Sequence, residues 1–230
     1  MTNIWHDISP KRISPDEFVA CIEIPKGGKN KYEMDKETGL LYLDRVLYTS
    51  THYPANYGFI PRTYADDNDP LDVLVLCQET IVPMTLVKCY PIGVIKMIDN
   101  EEEDEKIIAI PVNDPSFNAY KDISELPEHR FAEISHFFKV YKSLEEKETV
   151  VSEVLGCDVA KDIIRKSIIR YKDFFCWFNW YFHLICCRWK YFLKKYEKMF
   201  EKLLTTNRCS GIIQIRTKFW YYGGNDYVKE

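Results

Sequence analysis

Up to residue 124 the alternation of apolar and polar positions reads as a succession of short strands. Phe18-Val19-Ala20-Cys21-Ile22-Glu23-Ile24 is the first, closed by Pro25 and the Gly27-Gly28 turn. Lys31-Tyr32-Glu33-Met34 and the run 40–48 flank a Lys36-Glu37-Thr38-Gly39 turn, so Lys31 and Arg45 are expected on two arms of one hairpin. Residues 53–61 hold two prolines and a glycine among aromatics and read as an irregular loop. Strands are expected again near 71–77, 85–98 and 105–112. Some five short strands joined by turns, with little helix among them, predict a closed or nearly closed barrel.

Helical periodicity begins late. From Pro127, apt for a first helical position, Phe131, Ile134, Phe137, Phe138, Tyr141 and Leu144 recur at three- and four-residue steps. A second helix is expected from an N-cap at Asp158, with Val159, Ile163, Ile164, Ile168 and Tyr171 on one face. Strands first and helices afterwards define an α+β class.

Composition is that of a folded, soluble chain, 46% apolar and 29% charged, and it excludes disorder of the whole. The net charge of −4 conceals an asymmetry. Residues 1–160 hold 16 Lys/Arg against 29 Asp/Glu, whereas residues 161–230 hold 15 against 6. The acidic part lacks the basic stripe of a nucleic-acid binder, which argues against a single-strand-binding barrel. No apolar core of signal-peptide length follows Met1, so a cytoplasmic protein is expected. The eight cysteines show no Cys-x-x-Cys spacing and are expected to be reduced and mostly buried, not zinc ligands. His52 and His136 lie beside aromatics and are expected to pack rather than to ligate.

The candidate chemistry lies in Asp67-Asn68-Asp69-Pro70-Leu71-Asp72. Three carboxylates fall within six residues where a loop enters the buried run Val73-Leu74-Val75-Leu76. Asp69-Pro70 is turn chemistry, and Asn68 tolerates a left-handed backbone. Crowded acids repel one another and a cation would keep them ionised; hard oxygen donors suit Mg²⁺, Mn²⁺ or Ca²⁺. An EF-hand calcium loop counted from Asp67 fails, because Asp72 stands where it needs Gly and Gln78 where it needs Glu. A second acidic cluster, from Asp99 through Asp104-Glu105 to Lys106, is expected at a strand edge that faces the first across one site.

These segments, taken together and in order, resemble the soluble, Mg²⁺-dependent inorganic pyrophosphatases in their short, prokaryotic-like form. The resemblance runs from about Asp16 to Lys172. It is carried by Glu23-Ile24-Pro25, Lys31-Tyr32-Glu33, Asp44-Arg45, Tyr53-Pro54-Ala55-Asn56-Tyr57-Gly58, the central hexapeptide, Lys96-Met97 with Asp99, Asp104-Glu105-Lys106 and His136-Phe137-Phe138 leading into Tyr141-Lys142. Asn68 stands where many relatives carry Gly. The resemblance implies a five-stranded, oligonucleotide-binding-type β-barrel with flanking C-terminal helices and the reaction PPi + H₂O → 2 Pi. It implies Asp67, Asp72 and Asp104 as Mg²⁺ ligands, with Asp99 when more metals bind, and Glu23 and Glu33 as auxiliary acids. It implies Lys31, Arg45, Tyr57, Lys106, Tyr141 and Lys142 on phosphate oxygens, and Asp69 as acceptor of the proton from the attacking water. A homo-oligomer, commonly a hexamer, is implied as well. A catalytically silent or nucleic-acid-binding relative is the alternative.

The remainder is different material. A catalytic domain over 1–173 is expected to be followed by an aromatic and basic extension, 174–230, which carries four of the five tryptophans and half of all the aromatics. Arg188 and Lys190 interrupt its apolar run well short of the roughly 20 residues of a membrane span. An interfacial segment, an added helical layer, a subunit contact, or read-through of an intron or shifted frame each fit. The abrupt change of composition without a linker favours the last.

Overall fold

The computed structural model describes residues 3–99, 102–145 and 149–176. The composition-marked extension therefore lies outside the described residues beyond its first few positions.

Strand order follows from which apolar runs can be covered on both faces. β1 (Phe18–Ile24) is buried along its whole length. It pairs antiparallel with β4 (Asn56–Phe59) on one side and with the first half of β6 (Leu86–Asp99) on the other. β4 pairs antiparallel with β5 (Asp72–Val75), β5 parallel with β7 (Glu102–Pro111), and β7 antiparallel with β6. The five strands thus close into a ring, β1-β4-β5-β7-β6 and back to β1. Past the register shift between Pro91 and Gly93, β6 leaves β1 and takes on β8 (Thr149–Gly156) instead. β2 (Asn30–Met34) and β3 (Leu41–Val46) form a separate hairpin in which Lys31 and Arg45 are direct partners, as expected.

Both faces of the sheet are packed. Leu74, Ile108 and Ile110 share one cluster with Phe137 and Phe138 of α2 (Glu128–Val140). Val73, Val75, Ile107 and Ala109 share another with Ala160, Ile163 and Ile164 of α3 (Cys157–Tyr171). This two-sided burial explains why 73–76 and 107–110 are unbroken apolar runs rather than alternating ones. The short N-terminal helix α1 (Ile4–Asp7) places Trp5 in a third cluster with Phe59, Met34 and Tyr171.

The structure corrects several expectations. Residues 53–61 contain strand β4, because Pro54 and Pro61 lie outside it and Gly58 lets the chain cross β1 closely; a Cβ there would lie 1.9 Å from the Cys21 carbonyl oxygen. The second acidic cluster is not confined to a strand edge but runs into β7 itself, where Asp104 and Lys106 are two apart and share a face. β8 was not expected at all. Leu144 leaves the α2 face, 64% exposed on a 3₁₀ turn. The α3 N-cap is Gly156, so Asp158 lies within the first turn, and the Cys157 N–H is taken at 2.8 Å by Asp122 Oδ2, the N-cap of the 3₁₀ turn Ile123–Glu125 ahead of α2. His52 and His136 are exposed rather than packed. Cys21 and Cys89 are buried, Cys77 and Cys157 half-buried, and all four are free thiols. Among the described residues no helix is long and apolar enough to cross a membrane.

Candidate active site

One cleft of about 430 Å³ gathers most of the predicted chemistry. Its walls include Glu23, Lys31, Glu33, Tyr57, Asp67, Asp69, Asp72, Asp104, Lys106, Tyr141 and Lys142. Each comes from a different local rule. Asp72 opens β5 and is the register partner of Lys106 across the parallel pairing, and Tyr57 lies on the adjoining antiparallel strand. Tyr141 and Lys142 follow directly on the last turn of α2, whose Phe138 ring underlies the Lys106 ammonium at 5.6 Å.

Lys106 is the hub. Its buried Nζ donates to Asp72 Oδ2 at 2.7 Å, to Asp104 Oδ1 at 3.0 Å and to the Tyr57 hydroxyl at 3.1 Å. The Tyr57 hydroxyl in turn donates to Asp72. Burial works against the ammonium, but Asp104 and Asp72 outweigh it and hold Lys106 charged well beyond the usual lysine range. The Tyr57 phenol is pushed well up, by burial first and then by Asp72.

The acids remain under strain. Glu23, 8% exposed, accepts the Met34 N–H at 2.7 Å, yet burial and then Asp72 push its carboxyl up to about 8. Asp67 is pushed up to about 6, by lost hydration first and by the charges of Asp72 and Asp104 next. Asp67 Oδ1 accepts the Asp69 N–H at 3.0 Å across Asn68, whose φ of 66° is the left-handed backbone foreseen for it. Asp69 is ion-paired with Lys36. Seven carboxyl groups against four lysines line the cleft, and even with Glu23 protonated the acids outnumber the lysines.

Two predicted residues stand apart. Arg45 is not on the cleft wall; its guanidinium is held by Asp44 and by Glu145 Oε1 at 3.0 Å. Asp99 ends β6, and its side chain lies outside the described residues. Conversely, Lys36, Tyr42 and Tyr53 line the cleft without having been singled out. Tyr42 donates to Glu33, which also takes the Lys31 ammonium. Glu33 is opposed by burial but held below the usual range by those two partners. Only the hairpin register, in which Tyr42 is the direct partner of Glu33, carried a signal for Tyr42.

The strand ring thus carries an acid-rich cleft with a buried lysine at its centre. The model of the inorganic pyrophosphatase family matches residues 20–172. The chain is 51% identical over 170 residues to soluble inorganic pyrophosphatase 2 of Chlamydomonas reinhardtii, covering 74% of this chain and 88% of that one. It is 47% identical over 170 residues to soluble inorganic pyrophosphatase 1 of Arabidopsis thaliana, covering 74% and 80%. The structure resembles that of the inorganic pyrophosphatase from Thermus thermophilus, with a TM-score of 0.71 at 36% identity over 74% of this chain and 99% of that one. The chain belongs to the inorganic pyrophosphatase family.

Proposed function

We propose that the chain hydrolyses inorganic pyrophosphate to two orthophosphates in this cleft, with Mg²⁺ as the cofactor. The observation that carries the reading is the Lys106 ammonium held between Asp72 and Asp104 where carboxylates outnumber lysines. Such a cleft repels a polyanion until further cations enter it.

The donor set fits a hard divalent cation. Asp67, Asp72 and Asp104 offer oxygen only, and Asp67 is already disfavoured as an anion by lost hydration and then by the charges of Asp72 and Asp104. Among the described residues no three acids stand together as a closed ligand cage. Mg²⁺ keeps several waters and takes one or two carboxylates plus substrate phosphates. Asp67, Asp72 and Asp104, with Asp99, would hold it. When bound, the cations activate the attacking water and screen charge on the leaving phosphate.

The chain's own residues do the rest. Lys31, Lys106, Lys142, Tyr57 and Tyr141 take phosphate oxygens, fixing one phosphoryl group and drawing charge from the other as the bridging P–O bond breaks. Arg45 joins them from β3 once it exchanges Glu145 for substrate. Asp69 accepts the proton of the attacking water, which requires its release from Lys36. Glu23 and Glu33 complete the shell. The ring of five strands is read as the oligonucleotide-binding-type barrel, residues 1–173 as the catalytic domain and the working form as a homo-oligomer, a hexamer by family resemblance.

Phosphate release from pyrophosphate with and without Mg²⁺ tests the reading. Metal-dependent turnover is expected; well-folded protein without it, together with single-stranded nucleic-acid binding by anisotropy, would replace the enzyme with a binding module.

A further inference from the structure

The acidic loop is held from behind by residues that flank the family-matched stretch on both sides. Trp5 precedes that stretch, and Phe174 and Phe175 follow it on one π-helical turn, Lys172–Cys176. All three converge on Tyr64. The Tyr64 ring is stacked on Phe174 at 4.9 Å, edge-on to Phe175 at 5.5 Å and stacked on Trp5 at 6.3 Å. Phe175 also meets Trp5 at 5.2 Å and Tyr171 at 4.9 Å.

Tyr64 is the first residue of the acidic loop in reach of these rings, and its polar atoms fix both the loop's root and its tip. Its N–H donates to the Ser167 carbonyl of α3 at 3.0 Å. Its hydroxyl donates to Asn68 Oδ1 at 2.7 Å, the residue between Asp67 and Asp69 that carries the left-handed backbone. The loop is closed on itself by the Ala65 N–H to the Asp69 carbonyl at 2.8 Å, and Asp66 is ion-paired with Arg170. Trp5 Nε1 donates to the Thr63 carbonyl at 2.9 Å, one residue before Tyr64. The Tyr64 hydroxyl thus holds the side chain of Asn68, the residue that joins Asp67 to Asp69.

We propose that Phe174 and Tyr64 are positioning residues for the acidic loop, so that the start of the divergent C-terminal segment tunes the affinity of Asp67 and its neighbours for a divalent cation. The inference rests on the metal-binding reading above. Phe174 is 57% exposed, so its ring contributes little to the core; it stacks on Tyr64 of the loop and meets Phe175 edge-on at 5.0 Å. Groups that touch no metal tune its affinity by orienting the segment that carries the ligands.

The test uses the full-length chain and calorimetric titration with Mg²⁺, beside melting without metal and turnover as a function of Mg²⁺. Phe174→Ala is expected to weaken Mg²⁺ binding about tenfold, the scale of a lost ligand-orienting contact. Tyr64→Phe, which keeps the stack and deletes only the hydroxyl, is expected to weaken it in the same direction, and Phe174→Tyr to restore it. Turnover should follow as a raised Mg²⁺ requirement, with the rate at saturating Mg²⁺ recovered. Equal Mg²⁺ affinity in wild type and Phe174→Ala, with or without a drop in metal-free melting, would overturn the positioning role alone. A wild-type chain that binds Mg²⁺ but releases no phosphate would overturn the proposed activity alone, and the calorimetric comparison would still decide the role of Phe174.

Discussion

Asp72 and Lys106 are partners across the parallel β5–β7 pairing, and their side chains meet at 2.7 Å inside the cleft. Backbone register, set by two apolar runs, thus delivers a charge pair to the mouth of the ring. The consequence for Asp72 differs from what crowded carboxylates alone imply. Simple repulsion predicts that Asp72→Asn leaves the metal-free protein as stable or more so. With Lys106 buried against it, the substitution strips one counter-charge from a desolvated ammonium. Asp72→Asn is therefore expected to abolish turnover and to lower metal-free melting. A rise in metal-free melting would mean that repulsion outweighs the pair.

Lys106→Met makes the reciprocal case. It leaves Asp72 and Asp104 facing one another without the ammonium, a loss expected to cost about 3–5 kcal/mol in urea unfolding. Mg²⁺ should recover more of the variant's stability than it adds to wild type, because it replaces the missing charge. Identical Mg²⁺ increments in both proteins would show that Lys106 does not share its carboxylates with the metal.

Asp69→Asn should behave otherwise. Asp69 touches Lys36 and its own turn, not Lys106, so its charge is dispensable for the fold. The variant is expected to keep most of its Mg²⁺-induced stabilisation and to lose turnover by about 10²–10⁴-fold, the usual weight of a general base. Near-wild-type turnover would move the proton acceptor elsewhere.

How far the sequence anticipates all this depends on the range of the interaction. The acidic hexapeptide and the Lys31–Arg45 pairing are legible because each is local, a turn and a hairpin. β4 is hidden because the prolines on either side of it and Gly58 look like breakers until Cys21, far off in sequence, explains the glycine. β8 is hidden because Thr149–Gly156 is strand only by pairing with the far half of β6. The Glu145 hold on Arg45 spans 100 residues and leaves no trace in either segment.

Asp122 joins the 3₁₀ turn to the start of α3 by accepting the N–H groups of Cys157 at 2.8 Å and Ser124 at 2.9 Å. Those two bonds, Cys157 first, hold its carboxyl below the ordinary value of 3.8. A carboxyl depressed in the folded state adds stability above its unfolded value and loses it as pH falls through the folded one. Asp122→Ala is expected to cost about 2 kcal/mol at pH 7, the scale of a charged cap. The gap to wild type should narrow as pH falls below 3.8. A gap independent of pH in denaturant titrations would assign the loss to packing.

The last expectation concerns where the catalytic domain ends. The change of composition begins at Phe174, yet Phe174 and Phe175 pack with Trp5, Tyr64 and Tyr171 within the unit Met1–Cys176. Every residue given a chemical role lies between Glu23 and Lys142, and Glu145, which holds Arg45, follows soon after. A chain ending after Cys176 is accordingly expected to retain full turnover and Mg²⁺ affinity. A chain ending after Asp173 loses both rings from the face of Tyr64 and should need more Mg²⁺ for the same rate, while its strand ring, closed by β1 and β6, stays folded. The two truncations, compared by circular dichroism melting and by Mg²⁺-dependent phosphate release, separate the aromatic contact from everything beyond it. Equal Mg²⁺ requirements would place the boundary at residue 173, and loss of turnover in both would make the segment after Cys176 part of the working enzyme.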